Sequence, residues 1–117
     1  GGALEGLVGS HLRAWLSTAP GKNELFYWRT RAGLEVDFVL FGEAGLYAIE
    51  VKSSRNAKSE DVLGLRAFQS DYPEAKALRL SLSSNVGPMS GIPCQEVSSF
   101  LRRIVPGEPL PMPDSSS

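Results

Sequence analysis

The chain has 117 residues, enough for one domain with a modest core. Apolar residues make up 42% and charged residues 21%, ordinary values for a folded domain, and the single cysteine, Cys94, excludes an internal disulfide and a cysteine-rich zinc site. A formal net charge of −1 excludes an autonomous, strongly basic nucleic-acid binder, so any phosphate contacts must come from a local patch or from another part of the molecule. No apolar run reaches membrane-span length and no charged-then-apolar leader is visible, so the expected location is the cytoplasm, away from any membrane. The opening Gly1-Gly2-Ala3 lacks an initiator methionine and reads as a fragment or a processed chain.

Residues 3–17 carry Leu4, Leu7, Val8, Leu12, Trp15 and Leu16 at three-and-four spacing, which predicts an amphipathic helix ended by the turn residues of 17–21. Three strands are predicted next, over 25–30, 34–41 and 46–53, from their β-branched and aromatic content. The connections between them are short enough for hairpins, so the three should run antiparallel. A second helix is expected over 59–72, with Ser59 as N-cap, Glu60 and Asp61 at its positive end, and Pro73 as its stop. Residues 76–83 read as a further strand, reached by a crossover. Residues 85–93 read as loop and 95–105 as a closing helix. The Pro- and Ser-rich stretch 106–117 is expected to be a disordered tail after the domain at 1–105. The fold class is α/β, a mixed sheet flanked by helices.

The chemistry is concentrated on the second and third strands. If their loop closes with Phe41 opposite Leu46, opposed residue numbers sum to 87, which puts Asp37 opposite Glu50 and Glu35 opposite Lys52. Strict alternation then places Glu35, Asp37, Val39 and Phe41 on one face with Leu46, Ala48, Glu50 and Lys52. Directly opposed carboxylates repel by up to roughly 1 kcal/mol when exposed, and by more when buried. A divalent cation removes that repulsion and makes both groups ligands. Lys52, two residues after Glu50, adds a cation that can orient an attacking water or offset charge on a phosphate. Glu5 falls within the apolar arc of the first helix, where a carboxylate needs a partner, and a metal at the sheet rim would be one.

The order of these features, an inward Glu5, then Glu35-Val36-Asp37-Phe38-Val39, then Ile49-Glu50-Val51-Lys52-Ser53-Ser54, resembles the PD-(D/E)XK nuclease superfamily. Leu25-Phe26-Tyr27-Trp28-Arg29-Thr30, the segment 65–72 and Phe100-Leu101 look like a domain of unknown function found at the C-terminus of many prokaryotic AAA-type ATPases. The resemblance spans about residues 3–104. It implies a restriction-endonuclease-like core and a metal site for Mg²⁺ or Mn²⁺. In that site Asp37 and Glu50 are ligands, the Val51 carbonyl is a third contact, Glu5 binds directly or through water, and Lys52 serves catalysis. It also implies nucleic acid as substrate and an N-terminal ATPase domain as partner. Val36 stands where the superfamily's proline would, and the chain has no phosphate-binding loop of the Gly-x-x-x-x-Gly-Lys-Ser/Thr type.

The expected function is therefore a Mg²⁺-dependent nuclease module. The rival is a nuclease-like binding or regulatory module that cuts nothing, since fold does not set function. Singly, Glu-x-Lys is an ordinary solvated strand face, and it is the opposed carboxylates that favour a site. Arg29 reads as part of a ladder with Glu35 and Lys52, with phosphate contact as the alternative. Arg31, Arg55 and Lys58 flank the site and either touch a phosphate backbone or simply solubilise the chain. His11, Trp15, Tyr27 and Trp28 read as core or interface, and Arg102 and Arg103 as complements to a helix C-terminus.

Overall fold

The computed structural model describes residues 2–54, 56–84 and 86–113. Helix α1 spans Gly2–Thr18 and buries Val8, Leu12 and Trp15, one stripe of the predicted amphipathic pattern. Three strands follow: β1, Asn23–Arg29; β2, Glu35–Gly42; and β3, Gly45–Lys52. Both hairpins are antiparallel, and Phe41 pairs with Leu46 as the short glycine-flanked turn requires. One turn of 3-10 helix at Ser59–Val62 leads into α2, Leu63–Asp71, so the predicted second helix divides in two. Lys58, not Ser59, precedes that first turn, and Asp61 reaches back to accept the Lys58 amide at 3.1 Å. Strand β4, Lys76–Ser81, runs parallel to β3, as a crossover through a helix dictates.

The expected closing helix begins later than its pattern suggested. Cys94–Glu96 forms a short fifth strand, β5, parallel to β4, and α3 occupies Val97–Arg102. Glu96 caps α3 by accepting the Ser98 and Ser99 amides at 2.8 and 3.1 Å. The result is a five-stranded mixed sheet in the order β1-β2-β3-β4-β5, flanked by helices on both faces.

Each face has its own core. Val8, Leu12 and Trp15 of α1 and Phe100 of α3 pack on Phe38, Leu40, Ile49 and Leu78. Leu65 and Phe68 of α2 pack on Val36, Val39, Ala48 and Ala77 on the other side. At Gly64 the approach is closest: an added Cβ would lie 1.9 Å from the Glu35 carbonyl oxygen, so only glycine lets α2 sit this near β2.

Residues 106–113, expected to be disordered, instead lie against the α1 core. Leu110 is 5% exposed, the Trp15 indole donates to the Glu108 carbonyl at 2.7 Å, and the Gly107 amide donates to Thr18 Oγ1 at 3.2 Å. Composition signalled disorder, but one apolar residue that fits the core and an indole that needs an acceptor tie the segment down. The rest of the expected tail, 114–117, lies outside the described residues. Among the described residues no helix is long and apolar enough to cross a membrane.

Candidate functional site

The β2–β3 ladder runs from the turn to Phe38 opposite Ile49 and goes no further. Beyond that pair, side chains replace the backbone ladder. The Asp37 amide donates to Glu50 Oε1 at 3.0 Å, and Asp37 Oδ2 accepts the Val51 amide at 2.8 Å. Each carboxyl group thus takes the place of a carbonyl of its own strand, accepting an amide of the other across the gap between β2 and β3.

A bulge in β2 lies beside this arrangement. Against β1 the register advances from Phe26–Val39 to Trp28–Val36, two residues on one strand and three on the other. Val36 and Val39 therefore both face α2, although strict alternation would separate them. The expected single face for Glu35, Asp37, Val39 and Phe41 is corrected accordingly. Val39, Leu46 and Ala48 do share a core, but Glu35 turns to Arg29 and Tyr27 on β1. The Glu35–Lys52 opposition does not form. Arg29 Nε is 3.5 Å from Glu35 Oε1, so that part of the ladder exists, while Lys52 Nζ lies 3.4 Å from Glu50 Oε2.

Asp37 and Glu50 come together despite the bulge. Burial, a side-chain hydrogen bond to Asp37 and the Asp37 charge push the Glu50 carboxyl up to about 8, against the opposing pull of Lys52. Glu50 is 7% exposed, the only buried carboxylate among the described residues. At neutral pH it holds a proton that a cation in the gap would displace. The donor set, two carboxyl groups meeting in one gap, is of the hard oxygen type that suits a divalent ion such as Mg²⁺.

Glu5 departs from its expected place. It is exposed, because α1 turns the Val8, Leu12 and Trp15 stripe inward and leaves Leu7 and Glu5 outside. Partial desolvation and the charges of Asp37 and Glu35 raise its carboxyl, so it overlooks the site from the α1 side. Among the described residues no group of three or more His, Cys, Asp or Glu is arranged to hold a metal. The core of the site is the Asp37–Glu50 pair with Lys52.

Of the flanking residues, Arg29, Arg31 and Lys58 are exposed, and Arg55 lies outside the described residues. His11 is half-buried with Nδ1 3.0 Å from the Leu7 carbonyl oxygen. Trp15 and Trp28 join the two cores as expected, but Tyr27 is 57% exposed and donates its hydroxyl to Glu35 at 2.9 Å. Beside it, Phe26, Trp28, Phe41, Phe68 and Tyr72 line a cavity of about 360 Å³ at the β1 edge.

The sequence gives Asp61 only a helix-start role and offers no pairing for Arg79. Arg79, in the middle of β4, is 1% exposed and pairs with Asp61 Oδ2 at 2.8 Å. The available signal was a charge inside the run Ala77-Leu78-Arg79-Leu80, since a central strand seldom buries an unpartnered arginine.

No curated protein matches the chain. A family model described as a domain of unknown function, DUF4143, matches residues 1–97. The match takes in α1, the whole sheet and every residue of the Asp37–Glu50–Lys52 site, and on that ground the chain belongs to the DUF4143 family.

Proposed function

We propose that this chain is a metal-dependent nuclease module, hydrolysing phosphodiesters of nucleic acid as the C-terminal part of an AAA-type ATPase. The observation that carries the reading is the meeting of Asp37 and Glu50 in the β2–β3 gap with an ammonium 3.4 Å from one of them. Beyond their backbone hydrogen bonds, the two acids repel each other whenever both are ionised, and a divalent cation between them would remove that repulsion. Asp37 and Glu50 would hold Mg²⁺ or Mn²⁺, with the Val51 carbonyl beside them and Glu5 reaching the ion through water. When bound, such an ion supplies positive charge at the scissile phosphate.

The chain's own groups supply the rest. Lys52, with its side chain 35% exposed, stands at the mouth of the gap, where its ammonium can donate to phosphate oxygens and offset charge as it develops. Arg29, Arg31, Arg55 and Lys58 are the candidates for contacting the flanking backbone. With a net charge of −1, that contact is weak in isolation and fades as salt rises.

The second reading, a nuclease-like binding or regulatory module without cleavage, draws on the exposure of Glu5, which leaves two carboxylates in the gap where three were expected. A cleavage assay at low salt with Mn²⁺ separates the two readings, run on wild type, Lys52→Ala and Asp37→Asn with single- and double-stranded substrates. Cleavage by wild type alone supports the nuclease. Equal cleavage by all three marks a contaminant, and metal binding without cleavage, also in the parent ATPase, moves the assignment to the binding module.

A further inference from the structure

The sheet ends in β1 on one side and β5 on the other. The β5 edge is guarded by its shortness, Cys94–Glu96 being only three residues. The β1 edge has no such guard. Asn23–Arg29 runs for seven residues without proline, glycine or lysine, and its middle, Leu25-Phe26-Tyr27-Trp28, is aliphatic or aromatic throughout. Proteins usually blunt such an edge, because its outward amides and carbonyls will pair with another strand.

The two ends of β1 show which backbone groups face outward. The Lys22 carbonyl accepts the Glu43 amide at 3.1 Å, and the Thr30 amide donates to the Leu34 carbonyl at 2.9 Å, both across the β1–β2 hairpin. The bulge puts its extra residue on β2, so alternation along β1 is unbroken between those ends. Even-numbered residues therefore bond β2, while Asn23, Leu25, Tyr27 and Arg29 turn their amides and carbonyls off the sheet. Phe26 is the midpoint of that row. An antiparallel copy centred on Phe26 matches Asn23 with Arg29 and Leu25 with Tyr27, in both directions. Every outward residue then has a partner, and no like charges are opposed.

Aromatic surface lies along the same edge. Phe26, Tyr27, Phe41 and Tyr72 are between 43% and 57% exposed. At about 200 Å² for each side chain this is roughly 400 Å² per copy, about half of what a standard interface takes from each partner. We propose that β1 is a self-association edge, on which two copies pair antiparallel about a two-fold axis at Phe26 and join their sheets into one. Phe26 and its counterpart meet there in the close, non-hydrogen-bonded position. Phe26 and Trp28 line the cavity at this edge, so the Phe26 of the second copy stands at its mouth. The modest aromatic area makes the dimer weak and concentration-dependent. The seam lies on the opposite side of β1 from the gap between β2 and β3, and the inference does not rest on the metal-site reading.

The test is sedimentation equilibrium of the 117-residue chain over a wide range of concentration. Wild type should pass from one chain to two as concentration rises, and a single chain throughout overturns the proposal. Phe26→Lys sets two ammoniums face to face and removes an aromatic pair, so it should weaken the dimer by about tenfold or more. Tyr27→Pro removes an outward amide and leaves the β1–β2 ladder its donors, and it should weaken the dimer similarly. Unchanged dimer affinity in both variants, with their fold checked by circular dichroism, overturns the proposal. Cross-linking tests the register in a chain that keeps its ladder. In a Cys94→Ser background, Phe26→Cys should give a disulfide-linked dimer on mild oxidation, because Cα atoms in that position stand about 4.5 Å apart. Glu24→Cys should not, since its counterpart lies about 13 Å further along the strand. No cross-link at Phe26, or an equal one at Glu24, overturns the proposal.

Discussion

The Asp37 amide donates to Glu50 Oε1 while Asp37 Oδ2 accepts the amide that follows Glu50, so the two acids hold β2 and β3 together at the point where the ladder ends. The same carboxylates that repel each other are also backbone acceptors, and this double role governs what their substitution does.

Asp37→Ala is expected to lose metal binding and also to destabilise the fold by about 1–3 kcal/mol, because the Val51 amide loses its acceptor. From sequence alone, relief of repulsion would have predicted stabilisation. Asp37→Asn retains an acceptor oxygen and should fold nearly as well as wild type while failing to bind Mg²⁺. Urea midpoints and calorimetric titration of both variants distinguish the two contributions.

The pH dependence follows from Glu50. Its folded pKa, about 8, lies above the ordinary 4.5, so the folded state keeps a proton that the unfolded chain has released. Its contribution to metal-free stability is complete below pH 4.5 and is lost as pH rises towards 8, a decline on the order of a few kcal/mol. Urea unfolding between pH 5 and 9 should show the slope in wild type, and Glu50→Gln should flatten it.

Metal binding at neutral pH should expel that proton. Titration of Mn²⁺ in buffers of different ionisation enthalpy is expected to show release of about one proton per ion, absent in Glu50→Gln. A heat that is the same in every buffer would mean that Glu50 is not a ligand.

Gly64→Ala tests the seat of α2. The new Cβ would overlap the Glu35 carbonyl, so α2 must back away from β2, at roughly 1–3 kcal/mol or more. Thermal melts read the loss. A weaker Mn²⁺ affinity should accompany it, since Glu35 is two residues from Asp37 on the displaced strand.

The segment at 106–113 is testable in the same way. Leu110→Ser should lower stability by about 1.5–3 kcal/mol, the worth of one buried leucine. The emission of Trp15, whose indole donates to Glu108, should shift to the red as water enters.

By itself the sequence determined the elements whose signals are local. Runs of β-branched and aromatic residues placed β1 to β3, a two-residue turn between glycines set the Phe41–Leu46 register, and from that register came the meeting of Asp37 with Glu50. A hairpin is decided by neighbours in the chain, which is why its chemistry could be read there. Tertiary structure decided the rest. The β2 bulge exists because Val36 and Val39 must both reach the α2 core, a demand made by residues almost thirty positions away. Glu5 faces outward because the rotation of α1 is set by how Val8, Leu12 and Trp15 fit the sheet, and neighbouring positions on a helical wheel cannot fix that rotation. Three-residue β5 has too short a pattern to read and forms because β4 offers it an edge. Arg79 meets Asp61 across eighteen positions, and Leu110 finds the α1 core from the far end of the chain. Those contacts arise from packing one layer on another, which leaves no periodic trace in the sequence.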